Sequence, residues 1–407
     1  MRRLAWGLLV VFAFAIPWEY SLDLGVPWGN VARILGLALL LVSTLAMLET
    51  GRVRRPGAMQ WLVLVFFCWF CLSYFWTIDQ AATLHDVRAY FQELTIVWLI
   101  WEFVESPRDL RILIRATILG CWVLAALTYV DFSSANAIAA GEYRFAAYGQ
   151  DPNDVARFLD LGFPLAALLA GSGDGWFDRL FGYGYLPLGL VAVVLTASRG
   201  GFLAAGAALT GCLILLVRGQ SRAALTALLA LPPLAALMWF FVPYETFARL
   251  ATIPEQLRTG DLNQRLDIWA AGWDAFVKAP WAGWGAGTFV QAAQLAGIDT
   301  AHNTALSIAV AGGLWALLIA VCILVCAGYL AFRAAGKLRI AFLTTFTVWT
   351  ISSLVGTVEG NRITWLLFGL VAVLGRFADE EPAALGKAFP DSGGPALTKP
   401  AVGYARS

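Results

Sequence analysis

Charge is what this chain has least of. Only 14% of its 407 residues are Asp, Glu, Lys or Arg, where a soluble domain carries about a quarter, and 60% are hydrophobic. That balance excludes a soluble globule and indicates an integral membrane protein. Lys and Arg nowhere form a block interleaved with aromatics, and the net charge is +1, so no nucleic-acid partner is expected. Histidine is scarcer still, with His85 and His302 the two in the chain. Asp86 stands beside His85, which makes a two-histidine metal site conceivable, but no paired His, Cys or carboxylate spacing supports one. Neither a metal nor another cofactor is expected. The six cysteines all fall in apolar segments rather than loops, and "CWFC" at 68–71 has no second pair, so they read as lipid-facing or packing thiols. No internal repeat is present.

What the chain has in abundance is long apolar runs. Windows near the bilayer-spanning length of about 20 residues occur at 4–22, 31–49, 58–78, 87–104, 110–131 and 154–171. Further windows lie at 180–197, 200–217, 223–243, 302–332, 338–356 and 363–377. The fold expected is therefore an all-α polytopic membrane protein with about twelve transmembrane helices. The opening "MRRLAWGLLVVFAFAIPW" has the charge and apolar run of a signal peptide but no small-x-small cleavage site, so it is read as a retained first helix. Placing the N-terminus in the cytoplasm puts most Lys and Arg on the inner side, which orients both termini inward.

This topology divides the chain into helices one to nine over 1–243, a large external loop over 244–301, helices ten to twelve over 302–377, and a polar tail over 378–407. In the loop, Leu262, Leu266, Trp269, Trp273 and Phe276 follow one another at steps of three and four, the pattern of an amphipathic helix lying on the membrane. "KAPWAGWGAGTF" after it reads as a Pro/Gly turn region. The tail is rich in Pro, Gly and Ala and is expected to be disordered.

Cations on the outer side run against the positive-inside rule. Arg199 sits in "LTASRGGFLAAG", where glycines allow close backbone approach and free amides with a guanidinium can cradle an oxyanion. It also suits an interfacial arginine snorkelling to headgroups. Arg265, in "NQRLDIWAAGWDAF", taken alone is an ordinary surface-helix arginine. Arg144 precedes an Asp-Pro-Asn turn in which Asp151 and Asn153 can cap the following helix. Arg362 opens the last apolar run. His302 opens the tenth, where a neutral imidazole can take a proton from a hydroxyl or serve only structure. All of these fall on one side of the membrane. Arg157 and Asp160, three apart in helix six, have no role in this scheme.

"LTASRGG" at 195–201, followed by "RLDIWAAGWDAFVKAPWAGWGAGTF" and "AHNTALSIAVAGGLWALL", resembles the O-antigen ligase and O-antigen polymerase family of bacterial glycosyltransferases. The likeness runs from about Asp151 to Ala320; the first five helices match in hydropathy alone. The resemblance implies a C-type glycosyltransferase fold in the inner membrane, with a periplasmic loop closing over a lipid-facing cavity. It implies a donor glycan on undecaprenyl diphosphate, and a reaction that needs neither metal nor nucleotide. By motif, Arg199 and Arg265 would hold the diphosphate and His302 would be the general base. Arg144, Asp151, Asn153 and Arg362 join them as substrate-binding candidates read from the residues. The acceptor is lipid A-core for a ligase and another glycan for a polymerase, and the single large loop favours the ligase. A transporter is the alternative of another class; it predicts charged or broken helices near the midplane, often in paired halves.

Overall fold

A computed structural model describes residues 1–22, 31–134, 143–172, 175–219, 232, 234–236, 238–258, 260, 264–296 and 300–390. Among the described residues the architecture is all-helical, without strands. In chain order the helices are α1 (Arg2–Ala15), α2 (Val31–Thr50), α3 (Ala58–Leu72), α4 (Gln80–Phe103), α5 (Pro107–Ser133), α6 (Pro152–Gly171), α7 (Trp176–Leu195) and α8 (Arg199–Gly219). The segment 244–301 supplies α9 (Tyr244–Ala251), α10 (Ile253–Arg258), α11 (Arg265–Lys278) and α12 (Phe289–Ala292). The chain closes with α13 (Thr304–Arg333), α14 (Gly336–Leu354), α15 (Arg362–Glu380) and α16 (Pro382–Ala388).

Six of these, α2, α3 with its short extension to Phe75, α5, α7, α8 and α13, are long and apolar enough to cross a membrane. Five other expected windows also fold as helices, but each departs from a simple span for a visible reason. At 1.5 Å per residue, the 14 residues of α1 reach about 21 Å, short of the hydrocarbon thickness. Charges enter α4 at Asp86, Arg88, Glu93 and Glu102, and α6 at Asp154, Arg157 and Asp160. Threonines and serines dilute α14, while α15 carries Arg362 and Arg376. The twelfth window, 223–243, lies largely outside the described residues.

The polar helices are the inner ones. Every residue of α6 from Val155 to Ala170 is buried, as is every residue of α15 from Arg362 to Phe377. Lipid contact falls to their neighbours, α2 above all, where Leu37, Leu41 and Leu48 are exposed. Charged groups facing a bundle interior are kept from hydrocarbon, which is what allows α6 and α15 to carry them. At the opposite end of α6 from Asp151, Arg111 and Arg115 both grip the buried Asp178, at 2.6 Å each. The Nη1 of Arg111 also donates to the Ala388 carbonyl, and Leu385, Ala388 and Phe389 are buried. The chain is thus helical and docked through 388, where disorder was expected from 378 onward. An apolar Leu-Phe pair anchors it; 391–407 lie outside the described residues.

The run 302–332 does not form one straight helix. Gly313 breaks α13 with φ 68° and ψ −167°, and the segment 280–286, expected to be a Pro/Gly turn region, packs into the break. The Trp284 and Gly285 amides donate to the carbonyls of Val310 and Ala311 at 2.9 and 2.8 Å, and Leu314 donates to Pro280 at 2.7 Å. The Trp69 indole takes the Gly312 carbonyl at 2.8 Å. Backbone groups freed at membrane depth must find such partners, since hydrocarbon offers none. Thr83 and Ser73 hold the other side of the segment, through the Ala286 carbonyl and amide at 2.9 and 3.2 Å.

A side chain at Gly313 would require a left-handed backbone and would collide with the Trp281 carbonyl. Gly313→Ala is expected to lower the unfolding temperature of the detergent-solubilised protein by an amount equivalent to at least about 1–3 kcal/mol. Gly328→Ala, where the added carbon meets nothing within 4 Å, should not.

Candidate active site

The site is built on the turn between α7 and α8. Ala197 adopts φ 50° there, a left-handed conformation rare for a residue with a side chain. Three donors from elsewhere hold it. The Phe145 amide, Arg144 Nε and Arg249 Nε donate to the successive carbonyls of Leu195, Thr196 and Ala197 at 3.0, 3.4 and 3.2 Å. Inside the turn, Ser198 Oγ donates to Asn153 Oδ1 at 2.9 Å and accepts from the Gly201 amide at 3.2 Å. Arg144 Nη2 donates to the same Asn153 oxygen at 3.1 Å. With the turn's carbonyls tied back, Arg199 becomes the first residue of α8.

Asp151 caps α6 by accepting from the Asn153 amide at 2.7 Å, as its Asp-Pro-Asn sequence indicates. Arg265 is the first residue of α11, after a left-handed Gln264. Burial lowers its pKa, with Arg144 and Arg199 adding repulsion and Asp151 opposing them. Burial likewise lowers that of Arg249, with the same two arginines adding to it. Arg265 thus lies within electrostatic reach of Asp151, Arg144 and Arg199, and Arg249 within reach of the same two arginines. Two further groups extend the cluster inward: Arg157, paired with Asp154, senses both Asp151 and Arg265, and its guanidinium packs on Gly356.

His302 stands one residue before the cap of α13, with φ 46°, and is half-buried. Asn303 takes the cap itself, accepting from the Leu306 amide at 2.9 Å. The neighbouring Ala301 carbonyl accepts from Trp269, one turn beyond Arg265, at 3.0 Å. On its other side Thr304 Oγ1 donates to the Gly356 carbonyl at 2.9 Å. His302 is therefore held between α11, which carries Arg265, and the 355–361 connection, which touches Arg157. Arg362 forms an ion pair with Glu19 and donates to Gln92 at 2.7 Å, a structural tie between the segment after α1, α4 and α15. His85 is exposed on α4.

Four helices, α6, α8, α11 and α13, present their N-termini to this cluster. Their dipoles add positive potential to that of the guanidiniums, which suits a polyvalent oxyanion.

Residues 184–321 match the family model described as O-antigen ligase. Over that segment the chain is similar to the O-antigen ligase family. The match covers about a third of the chain and contains Arg199, Arg249, Arg265 and His302. No curated protein matches the chain. The structure thus brings the family segment's arginines against Arg144, Asp151 and Asn153, which lie outside it. Arg249 and Glu359 went unnoticed in the sequence. Arg249 could have been found as one more cation of the 244–301 segment, and Glu359 as the single acid of the 355–361 connection.

Glu359 is buried behind Thr304 and Ser307. Burial pushes its carboxyl up to about 7, while the hydroxyls of Ser307 and Thr304 hold it down in part. A carboxyl that titrates higher when folded keeps a proton that the unfolded chain releases. Stability should therefore fall as pH rises from about 4.5 to about 7 and level off above that. Glu359→Gln should flatten this slope, gaining on the order of 3 kcal/mol at the alkaline end, as read by unfolding temperatures across that range.

Proposed function

We propose that the chain moves a glycan from undecaprenyl diphosphate to a saccharide hydroxyl at the periplasmic face of the bacterial inner membrane. The acceptor favoured is lipid A-core, making it an O-antigen ligase. The observation that carries this is the cluster of Arg144, Arg199, Arg249 and Arg265 at one set of helix N-termini, inside and beside the family segment. About twelve helices crossing the membrane, with both termini cytoplasmic and 244–301 as the periplasmic loop, would put that end outside.

In the transfer, the anomeric carbon gains a bond to the acceptor oxygen and loses its bond to the diphosphate. Negative charge grows on the departing phosphate oxygens, where Arg199 and Arg265 stabilise it in the role a divalent cation plays elsewhere. His302 takes the acceptor hydroxyl's proton. Attack from the face opposite the leaving diphosphate inverts the anomeric centre. Arg144 and Asn153 support the turn that aims Arg199, and Asp151 moderates the repulsion among the guanidiniums. Arg362 supports the site from further off, through the α4 and α15 framework.

Transporters also use broken helices, but the break in α13 is closed by hydrogen bonds within the protein. Its freed carbonyls are taken by Trp69, Trp284 and Gly285, and no other described helix contains a non-helical residue.

Purified protein supplied with a defined undecaprenyl-diphosphate glycan is expected to place it on lipid A-core. A ladder formed without core would mean a polymerase, and no product with either acceptor would contradict glycosyl transfer. His302→Ala should reduce turnover by on the order of 10²–10⁴-fold. Arg199→Ala and Arg265→Ala should lose activity that Lys replacements only partly restore, because an ammonium cannot reproduce the planar fork.

A further inference from the structure

Arg249 lies in α9, a short helix of the 244–301 segment, and grips the active-site turn in both directions. Its Nε donates to the Ala197 carbonyl at 3.2 Å, and its own carbonyl accepts from Arg199 Nε at 3.3 Å. The rest of α9 explains why it sits there. Thr246, fully buried, donates to the Tyr143 carbonyl at 3.3 Å. Leu250 packs with Phe145, Val194 and Leu195. These contacts dock one stripe of α9 beside the turn, and Arg249 follows on the same side. Only its Nε is occupied by the turn: the terminal nitrogens make no hydrogen bond to a described residue. The guanidinium is half-buried beside two like charges, Arg144 and Arg199, an arrangement that favours an anion with more than one phosphate.

We propose that Arg249 is a third diphosphate-binding arginine, that its fork makes the site prefer a diphosphate over a monophosphate, and that its hold on Ala197 couples this contact to docking of α9. This rests on the glycosyltransferase reading above. Arg199, at the start of α8, and Arg265, at the start of α11, come from two other elements, so Arg249 brings a third to the same ligand. A diphosphate offers enough oxygens for three forks, whereas a monophosphate does not need the third.

The test uses the full-length protein in detergent, with farnesyl diphosphate and farnesyl monophosphate as probes and tryptophan fluorescence as the binding signal. Wild type should prefer the diphosphate. Arg249→Gln, which keeps a donor for Ala197 but no charge, should weaken diphosphate binding by between about tenfold and about a hundredfold. Monophosphate binding should stay within about twofold. Arg249→Lys should recover part of the loss, and in turnover the donor KM should rise while the acceptor KM stays unchanged. A retained diphosphate preference in Arg249→Gln would overturn the proposal. So would equal loss of both probes with a lowered unfolding temperature, since that marks a scaffold role. Wild-type protein that binds neither probe would instead contradict the glycosyltransferase reading itself.

Discussion

Three successive carbonyls, of Leu195, Thr196 and Ala197, are each held by a donor from another part of the chain, and the charged end of the bundle depends on those bonds. They keep Ala197 in a left-handed conformation that costs of order 1–3 kcal/mol on its own. In exchange the turn reverses sharply enough for Arg199 to open α8 beside the start of α6. Asn153 completes the arrangement by receiving both Ser198 and Arg144 on one oxygen. The same residues that fix the backbone, Arg144 and Arg249, thereby bring their own charges to Arg199. Support and electrostatics come from one set of side chains, so a change in either is felt in both.

Gathering cations this way is unfavourable without an anion, and the bundle tolerates it through its layering. Apolar helices such as α2 and α8 meet lipid, while α6 and α15 are enclosed and carry the polar load. Arg362 with Glu19 and Arg2 with Glu102 tie the inner elements to their neighbours, while Arg157 pairs with Asp154 within α6. The break at Gly313 follows the same rule: backbone that leaves the helical pattern is satisfied by the 280–286 segment and by Trp69. That segment also connects α11 to α13, so the fixed break helps locate Arg265 relative to His302. Asp160 remains outside this scheme, buried with both carboxyl oxygens unpartnered among the described residues, and nothing in the structure explains it.

Apolar length made the helices legible in the sequence, because a spanning segment must satisfy its backbone internally and so announces itself as a run of about 20 residues. The Asp-Pro-Asn cap at Asp151 was equally plain, since capping is local chemistry. What hydropathy could not show was which helices are enclosed: Arg157 looked anomalous in a span and pairs with Asp154 in an inner helix. Gly312 and Gly313 sat inside an unbroken apolar run, and their role appears only with the 280–286 segment packed against them, a contact between distant parts of the chain. The site was half legible. Arg199 and His302 stood out by position, whereas Arg249 gains meaning only from its bond to Ala197, and Glu359 only from burial behind Thr304. Arg362 opens α15, and its guanidinium is occupied by Glu19.

The central claim is that the arginines around the 196–199 turn receive the diphosphate of a lipid-linked donor. A cryo-electron-microscopy structure of the protein with undecaprenyl diphosphate bound tests it most directly. Both phosphates are expected within hydrogen-bonding distance of Arg199 and Arg265, with His302 facing the phosphate that carries the glycan in the donor. Phosphates found instead at the opposite end of the bundle, near Arg333 and Lys337, would contradict it.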